Sequence, residues 1–536
     1  MSEYLGAPVD PGGGPTFALG GRVVKMADQA GVVDDGVVYV AGGSIVAVAE
    51  RAAPPPGGFE HVKVLQTKGT IYPGLIDLHN HLSYDALQLW AVPKKFSNRD
   101  QWAKGDTYRK LITGPMKVLG RTPEYLPAIV RYVEAKCLVA GTTTSQGIAL
   151  ASNAGIQRYY RGVVRNVEQT DEPALPEAVT HISDFEATDR AKFLKRLRSV
   201  KCLLLHLSEG VDTAARKHFL DLKGSNGDWA VASSLAGIHC VALEPADFDV
   251  LAHAGASMVW SPLSNLLLYG QTADVAAARA AGVTVALGPD WSPSGSKNLL
   301  GELKLARLVS GLTGGAGLSD FELLSLATRD AAQILHWDAL GTLDHGKRAD
   351  LLVVRGADGD AHGHLFACGE DDVELVVING YPRYGAAPPM QNLLGTDAAK
   401  AESATIAGRK RLLALQQASE DPAVGGLSLA QATELLRDGL KRLPELAKDL
   451  VEHPKLDADA LHLVLDNDDD EDFDVRLRLG ENGGAPLEAV STPLPDLLVP
   501  LKLDALTVAD DDAFVSTLVH ESNLPPEVAA HVPDLY

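Results

Sequence analysis

Cysteine is scarce in this chain, as are long apolar runs and positive charge. Only four cysteines occur among 536 residues and none forms a C-x-x-C pair, so we expect neither a disulfide framework nor a cysteine-rich zinc site. Cys240 directly follows His239, and thiolate ligation of a metal remains an alternative there to an ordinary buried thiol. Reduced cysteines fit a cytoplasmic location.

The charge balance argues against polyanionic partners. The chain has 48 basic and 70 acidic residues, a net charge of −22, whereas binding to nucleic acid or anionic membrane relies on Lys and Arg. Apolar runs such as 202–205 and 266–268 are far shorter than the ~20 residues that span a bilayer. Residues 1–16 lack the features of a secretory signal. A small-molecule substrate is the expected partner, and formation of a homo-oligomer stays open.

Short β-branched runs mark both flanks of a long central region. They occupy 17–70, where Gly42 and Gly43 indicate a hairpin turn, and return within 336–396. This pattern predicts one small β-rich domain assembled from both flanks, with the central region inserted between its two parts.

The central region, 71–335, alternates buried strand patterns with helical ones. Parallel sheets that are covered on both faces have such continuous apolar strands, and the length is usual for a (β/α)₈ TIM-like barrel. We therefore predict an α/β barrel. The eight predicted strands are 71–78, 141–146, 162–167, 179–183, 201–207, 237–243, 257–261 and 283–288.

The last part of the chain, 397–536, has a different character and no assigned role. Helical periodicity occurs at 401–418 and 427–450, and an acidic run at 466–472 precedes an alternating strand pattern at 473–479. The acidic run lacks the spacing of a calcium-binding EF-hand loop, so it indicates a solvated turn. We predict a C-terminal α+β extension.

Polar residues that can bind a metal follow apolar runs within the central region. The carboxyl ends of barrel strands meet at one face, where active sites form. Two imidazoles spaced two residues apart also point to the same side of a strand and can share one ion. The residues are His79, His81, His206, Glu209, His239 and Asp290.

Each remaining residue of this set has a distinct chemical use. His206 is the natural third nitrogen ligand, and Glu209 is within reach of a metal-held water, where a carboxylate suits proton transfer. His239 is a fourth nitrogen ligand, a group that polarises the substrate, or an ordinary core histidine. Asp290 would be costly to bury without a cation. Such a donor set suits Zn²⁺ or Fe²⁺ with an open position for catalysis.

These motifs together resemble the amidohydrolase superfamily, in the branch of cytosine deaminase, triazine hydrolase and guanine deaminase. The resemblance spans about 17–385 and implies a small β-sandwich beside the barrel. It also implies a divalent metal held by His79, His81, His206 and Asp290, with Glu209, His239 and Asp290 acting in catalysis. The matching segments are PGLIDLHNH at 73–81, HLSE at 206–209, His239, SPLSN at 261–265, LGPD at 287–290 and GTLDHGKRAD at 341–350.

The expected number of metal ions follows from the absence of a residue that could bridge two of them. Members with two metals bridge them with a carboxylated lysine or a carboxylate at the end of the fourth strand. Lys192 and Lys195 lie in a helical basic run, and Lys201 begins a strand instead of ending one. We therefore expect one ion, Zn²⁺ in preference to Fe²⁺.

The resemblance implies a hydrolase that uses metal-activated water on a non-peptide C–N bond, as a deaminase or a cyclic amide or amidine hydrolase. Hydrolytic dehalogenation at the same site and a non-catalytic scaffold on this fold are the alternatives. The substrate-contacting residues are expected among aromatic and polar side chains near the predicted ligands. They are Tyr84, Trp90, Arg99, Trp102, Ser264, Asn265 and Trp291.

Overall fold

Both flanks of the chain contribute to one nine-stranded mixed sheet. The computed structural model describes residues 14–103, 105–181, 190–312, 315–417, 421, 423–424, 426–452, 459–465 and 492–536. Strands are numbered in chain order, and the order across this sheet is β18-β19-β17-β16-β15-β4-β1-β2-β3. Its members are β1 (Phe17–Val24), β2 (Val32–Ala41), β3 (Ser44–Glu50), β4 (Val64–Pro73), β15 (Leu351–Arg355), β16 (Val373–Ile378), β17 (Tyr381–Ala386), β18 (Glu402–Ile406) and β19 (Arg409–Leu413).

Strands β4 and β15 join the two flanks. They pair antiparallel, with Leu351 opposite Pro73, whereas β1 and β4 pair in parallel. The turn at Gly42 and Gly43 connects β2 to β3, and both glycines have positive φ, 57° and 76°. Glycine tolerates this backbone conformation without steric cost, which explains the predicted hairpin.

Two smaller parallel sheets occupy the central region. One contains three strands in the order β5-β6-β9, and the other contains five in the order β10-β11-β12-β13-β14. Each of the eight predicted segments overlaps one of these strands. The strands are β5 (Leu75–Ile76), β6 (Thr142–Ser145), β9 (Arg165–Asn166), β10 (Ala178–His181), β11 (Cys202–Leu207), β12 (Leu235–His239), β13 (Ser257–Trp260) and β14 (Thr284–Leu287).

Hydrogen bonds connect the edges of these two parallel sheets. At one junction the Ala178 N–H donates to the Val167 carbonyl at 2.8 Å. At the other, Asn80 and Asp290 form a parallel bridge, and the Asp290 N–H donates to the His79 carbonyl at 2.9 Å. The backbone around the predicted ligands is therefore part of the hydrogen-bonded connection between the sheets.

Helices surround the parallel strands, and several further helices lie in the C-terminal part. None in the described part of the chain is long and apolar enough to cross a membrane. The α-helices are Asp106–Tyr108, Gly114–Arg121, Leu126–Val139, Arg190–Ser199, Thr213–Leu220, Pro245–Ala254, Pro262–Tyr269, Val275–Ala281, Leu299–Gly311, Asp320–Leu326, Arg329–Ile334, Ala387–Leu394, Leu429–Lys441, Leu443–Glu452, Leu494–Leu497, Phe514–Val519 and Pro526–Ala529. A π-helical turn covers Arg109–Thr113, and 3₁₀ turns cover Leu82–Tyr84, Arg99–Gln101, Gly363–Ala367, Glu370–Asp372, Gly395–Lys400 and Val532–Asp534.

Two sequence expectations about individual elements need correction. The predicted strand 71–78 divides at Gly74, because the residues up to Pro73 belong to β4 and only Leu75–Ile76 pair with β6. The predicted helical segment 401–418 is wrong where it is described. Residues up to 413 form the hairpin of β18 and β19, turning at Ala407 and Gly408 with φ of 49° and 69°.

For the rest of the C-terminal region, one predicted helical stretch can be compared with the structure, and two predicted segments lie outside the described residues. The predicted helical stretch 427–450 is confirmed, as helices Leu429–Lys441 and Leu443–Glu452. Strand β20 (Leu461–Leu463) pairs with β7 (Ala149–Ser152), which pairs in turn with β8 (Gln157–Tyr159). The acidic run at 466–472 and the predicted strand at 473–479 lie outside the described residues.

A buried ion pair joins β9 to the nine-stranded sheet. Arg165 donates to Asp350 at 2.5 Å and to Asn379 Oδ1 at 2.6 Å, and the Asn379 N–H donates to Asp350 Oδ1 at 2.8 Å. Both ionic side chains are buried. Removal of one partner of such a pair leaves an uncompensated buried charge.

Replacing Asp350 with Asn should therefore destabilise the chain by about 3–5 kcal/mol. The control is Asp35→Asn, since Asp35 is paired with Arg51 in an exposed setting, where a pair contributes about 0–1 kcal/mol. Chemical denaturation of both variants measures the difference. Equal, small losses would mean that the Arg165 pair does not hold the two parts together.

Candidate metal centre

The predicted ligands lie at or just beyond the carboxyl ends of adjacent parallel strands. His206 is within β11, His239 ends β12, and Asp290 follows β14 by three residues. His79 and His81 follow β5, and the bridge between Asn80 and Asp290 brings them beside the end of β14. The fold thus gathers residues that are up to 211 positions apart in the chain.

Backbone strain helps to direct these side chains. His239 and Asp290 have φ of 68° and 71°, Cys240 after His239 has φ of 53°, and Ser208 before Glu209 has φ of 52°. Positive φ costs a residue with a side chain of order 1–3 kcal/mol and concentrates at functional sites. Strand β12 ends at His239, four residues before the end of the predicted segment 237–243, because the chain turns there with positive φ at His239 and Cys240.

The four histidine rings and Asp290 are in close contact. The ring centre of His79 lies 5.0 Å from that of His81, 4.7 Å from His206 and 4.9 Å from His239. Asp290 Oδ1 lies 3.0 Å from His79 Nε2 and 3.4 Å from His81 Nε2. In each of three groups, the ligand atoms lie within 4.8 Å of one another. The groups are His79, His81 and His206; His79, His239 and Asp290; and His206, Glu209 and His239.

Burial keeps these imidazoles neutral. It lowers the pKa of His79 and of His239 to about 4, and lowers the pKa of His206 well below its usual value. Burial alone would raise the pKa of Asp290, but His79 and the other histidines hold it below the usual carboxyl range. Unprotonated imidazole and ionised carboxylate are the forms that bind a metal.

The donor set fits a divalent cation. His206 Nδ1 is buried and lacks a hydrogen-bond partner among the described residues, and His79 Nε2 faces the Asp290 carboxylate without the geometry of a hydrogen bond. Such an arrangement is costly without a compensating interaction. Three imidazoles and a carboxylate are donors typical of Zn²⁺ or Fe²⁺ sites. Cys240 is buried but belongs to none of the candidate ligand groups in the described part of the chain.

Side-chain amides beside His79 and His239 indicate which ring nitrogen carries the proton in each of these two histidines. Gln146 Oε1 accepts a hydrogen bond from the Asn80 N–H at 2.8 Å and lies 3.4 Å from His79 Nδ1. A proton on Nδ1 leaves His79 Nε2 free to bind a metal. Asn265 Nδ2 lies 2.9 Å from His239 Nδ1, so Nδ1 accepts and the proton of the neutral His239 ring lies on Nε2.

Glu209 is buried beside the histidines. Its Oε1 accepts a hydrogen bond from the Tyr269 hydroxyl at 2.7 Å, and its Oε2 lies 3.8 Å from Arg99 and 3.8 Å from His239 Nε2. Trp102 Nε1 donates to the same Tyr269 hydroxyl at 2.9 Å. Burial raises the pKa of Glu209, while Arg99 opposes that change.

A small, partly open pocket lies beside these groups. Of the predicted substrate-contacting residues, Arg99, Trp102 and Trp291 line it, and Tyr108 joins them. The complete lining is His81, Arg99, Trp102, Tyr108, His206, Glu209, His239, Asp290 and Trp291. A pocket with aromatic walls and a few convergent polar groups is the usual form of a small-molecule site.

Four other predicted substrate contacts lie behind this lining. Asn265 holds His239, and Ser264 lies 3.2 Å from the Ser294 hydroxyl. The Tyr84 ring packs 5.2 Å from Trp291, and the Trp90 ring packs 6.3 Å from Phe96. These four residues therefore support the cavity wall and do not form it. Tyr84 and Trp90, in the loop after His81, pack against other aromatic rings.

Tyr108 and Tyr269 were not predicted from the sequence. Tyr269 lies four residues after Asn265 on helix Pro262–Tyr269, and residues with that spacing share one helix face. This relation to the SPLSN motif could have indicated Tyr269. Tyr108 follows no recognisable motif, and only the path of the loop through 82–108 brings its ring to within 6.0 Å of Trp291.

Comparisons with known proteins agree with this geometry. The model of the Amidohydrolase family matches residues 205–382. A 5-methylthioadenosine/S-adenosylhomocysteine deaminase of Pelotomaculum thermopropionicum is 24% identical over 401 residues, covering 67% of this chain and 91% of that protein. A 5′-deoxyadenosine deaminase of Methanosarcina mazei is 24% identical, covering 67% of this chain and 90% of that protein. The resemblance to the amidohydrolase superfamily is confirmed.

Solved structures with a similar fold include deaminases and triazine hydrolases. An adenosine deaminase from Xanthomonas campestris with bound zinc has a TM-score of 0.55 and 18% identity, covering 80% of this chain and 98% of its own. A guanine deaminase from Bradyrhizobium japonicum has a TM-score of 0.52 and 19% identity, covering 68% of this chain and 98% of its own. Such amidohydrolase neighbours imply a TIM-barrel fold. The predicted enzyme class, a metal-dependent hydrolase of non-peptide C–N bonds, is confirmed.

Glu302 lies behind the candidate metal centre, and the protonation of its buried carboxyl group can be tested. It accepts hydrogen bonds from the Leu263 N–H at 3.1 Å and from the Ser296 hydroxyl. Burial raises the pKa of Glu302 from 4.5 to about 8. The folded chain therefore binds a proton between these pH values that the unfolded chain has released, and its stability falls as pH rises through this interval.

The Glu302→Gln variant cannot ionise and should escape this loss. Its stability relative to the unchanged chain should grow by about 1.4 kcal/mol per pH unit across the interval and level off above it. Thermal unfolding at several pH values measures the trend, and an exposed control, Glu527→Gln, should show none. A constant difference between the Glu302 variant and the unchanged chain would mean that this carboxyl is ionised throughout.

Proposed function

We propose that this protein is a mononuclear metal-dependent deaminase of an aminated heterocycle, with an adenine-type ring as its preferred substrate class. The observation that carries the proposal is the convergence of His79, His81, His206 and Asp290 beside Glu209 in an aromatic-lined cavity. The names of the two deaminases above, both of which concern adenosine derivatives, support the ring type.

We also propose that the eight parallel strands close into one (β/α)₈ barrel. The hydrogen bonds that link Ala178 to Val167 and Asp290 to His79 support closure, because they connect both pairs of sheet edges. In the proposed organisation the barrel covers 71–335, a composite β-sandwich covers 17–70 and 336–396, and 397–536 is the C-terminal extension. The hairpin of β18 and β19 extends the sheet from that last part.

The proposed ligands are His79, His81, His206 and Asp290, with Zn²⁺ as the ion. A bound divalent ion would supply Lewis-acid charge and lower the pKa of a water towards ~7. Gln146 keeps His79 Nε2 available as a donor. Asp290 receives backbone support from both sides, since its N–H donates to the His79 carbonyl and its carbonyl accepts from the His81 N–H.

Glu209 is the proposed proton carrier. In a deamination, water adds to the ring carbon, the C–N bond breaks, and ammonia and a ring carbonyl result. Glu209 takes one proton from the attacking water and delivers it to the departing nitrogen, and the other proton of the water ends on the adjacent ring nitrogen. The hydrogen bond from Tyr269 fixes one carboxylate oxygen, and the raised pKa of Glu209 favours this proton uptake.

His239 is proposed to polarise the substrate as a hydrogen-bond donor. Asn265 holds Nδ1 as an acceptor, and the Asn265 carbonyl oxygen accepts from the Thr272 hydroxyl at 3.3 Å, which fixes the amide orientation. The Nε2–H then remains for the substrate, where donors aimed at developing negative charge stabilise the transition state.

The cavity lining supports a flat, electron-rich or anionic group. Trp102, Tyr108 and Trp291 offer ring faces for stacking, and Arg99 adds positive charge near the Trp102 ring, 5.9 Å from its centre. Loss of halide from the same type of ring would use the same residues and remains the alternative reaction. The intact set of six polar residues argues against a non-catalytic scaffold.

The proposed deamination is tested by measuring ammonia release from adenosine, 5′-deoxyadenosine and 5-methylthioadenosine. The alternative, hydrolytic loss of halide, is tested by measuring chloride release from a 6-chloropurine nucleoside. Glu209→Gln should lower turnover of the deaminated compound by about 10²–10⁴-fold without loss of bound metal, because Glu209 is not a proposed ligand.

The matched control is Glu370→Gln. Glu370 is as buried as Glu209 (7% and 8% exposed), but it accepts from Asn298 Nδ2 and the Val508 N–H and does not line the cavity. Its substitution should leave turnover close to that of the unchanged chain. Full activity of the Glu209 variant would contradict the proton-transfer role.

A further inference from the structure

Part of the C-terminal extension lies directly against the loop that follows His81. Leu503 forms a bridge with Leu87, and the Asp504 N–H donates to the Ala86 carbonyl at 3.0 Å. The Tyr132 hydroxyl donates to the Asp504 carbonyl. The Asp504 side chain is only 1% exposed, although it belongs to a region that lies outside the family resemblance.

Asp504 balances two buried lysines of the barrel. Its Oδ2 accepts from Lys136 Nζ and its Oδ1 from Lys297 Nζ, each at 2.5 Å. Lys297 also contacts Asp511 at 2.6 Å and lies 5.0 Å from the centre of the Phe514 ring. Three residues of the extension thus surround one barrel lysine. A buried ammonium group needs such compensation, because its desolvation is otherwise very costly.

Lys136 transmits this contact to both loops that carry proposed ligands. An ammonium group has three donors, and Lys136 directs them to Asp504, to the Asp85 carbonyl at 2.8 Å and to the Ser292 hydroxyl at 2.6 Å. Asp85 lies four residues after His81, and Ser292 lies two residues after Asp290.

The two loops are also bonded to each other at this point. The Ser292 N–H donates to Asp85 Oδ1 at 2.7 Å, and the Trp90 N–H donates to the Pro293 carbonyl at 2.6 Å. Lys136 therefore lies where the loops meet, and among the residues that the structure describes its third hydrogen bond goes to Asp504 of the extension.

We propose that Asp504 is a positioning residue for the metal centre, acting through Lys136 on the loops of His81 and Asp290. The C-terminal extension thereby completes the site without contributing a ligand. The inference rests on the metal centre of the proposed function, but it does not depend on the identity of the substrate. Residues that orient ligands from outside the coordination shell commonly affect metal affinity by about 10–100-fold.

The test compares zinc affinity of full-length variants by competition with a chromogenic chelator. Asp504→Asn keeps the shape of the side chain and removes its charge, and it should weaken zinc binding by about 10–100-fold. Amide hydrogen exchange in 82–92 and 290–297 should become faster in the same variant, because the hydrogen bonds of Lys136 lose their anchor.

The matched control is Asp421→Asn. Asp421 is another buried carboxylate of the extension, and it holds Arg158 through contacts at 2.6 and 2.7 Å, in a segment that carries no proposed ligand. This variant should lose stability and keep its zinc affinity. Equal loss of affinity in both variants would overturn the inference, since a general destabilisation would then explain the result.

A milder variant covers the case in which Asp504→Asn does not fold. Ser292→Ala removes one acceptor of Lys136 without changing charge, and it should also weaken zinc binding. Unchanged affinity in a folded Asp504 variant, or in the Ser292 variant where the former does not fold, would contradict the positioning role. An unchanged chain that binds no zinc would instead overturn the proposed metal centre, and the inference with it.

Discussion

The site depends on the burial of uncharged imidazoles around one carboxylate. Burial holds the pKa of His79 and His239 at about 4, so these rings carry no charge at neutral pH and cannot balance Asp290. The same burial leaves His206 Nδ1 without a hydrogen-bond partner among the described residues, and His79 Nε2 faces the Asp290 carboxylate without the geometry of a hydrogen bond. A divalent cation would satisfy all of these groups together, and the ligand atoms of each candidate group lie within 4.8 Å of one another.

Support for this centre comes from several distant parts of the chain. Gln146 and Asn265 determine which nitrogen of His79 and His239 is available, and Tyr269 restrains Glu209. Behind them, the hydrogen bonds of Lys136 connect two ligand-bearing loops to each other. Gln146 thus restrains the proposed ligand His79, and Asn265 and Tyr269 restrain His239 and Glu209, the proposed catalytic pair.

The convergence of the proposed metal ligands could be predicted from the sequence because each follows an apolar run whose end marks a strand terminus. His206 after its run of leucines and Asp290 after β14 are of this kind, and the parallel arrangement then brings them together. The cavity lining could be predicted only in part. Trp291 is adjacent to Asp290, whereas Tyr108 reaches the cavity through a loop path that no local pattern specifies.

The errors in the sequence interpretation have physical causes. Segment 401–413 is rich in residues that favour helices, but it pairs with β17 as a hairpin because the tertiary context overrides its propensity. The burial of Asp504 could not be predicted either, since a single aspartate in the segment 497–508 gives no sign of two lysines that lie 207 and 368 residues away in sequence.

Metal content per chain is the most direct measure of whether His79, His81, His206 and Asp290 hold a single divalent ion. Elemental analysis of full-length protein, purified without added metal and again after incubation with zinc and removal of excess, gives the stoichiometry. We predict close to one equivalent, lost when Asp290 is replaced by Ala. Two equivalents, or none after incubation with zinc, would contradict the binding of one divalent ion by these four residues.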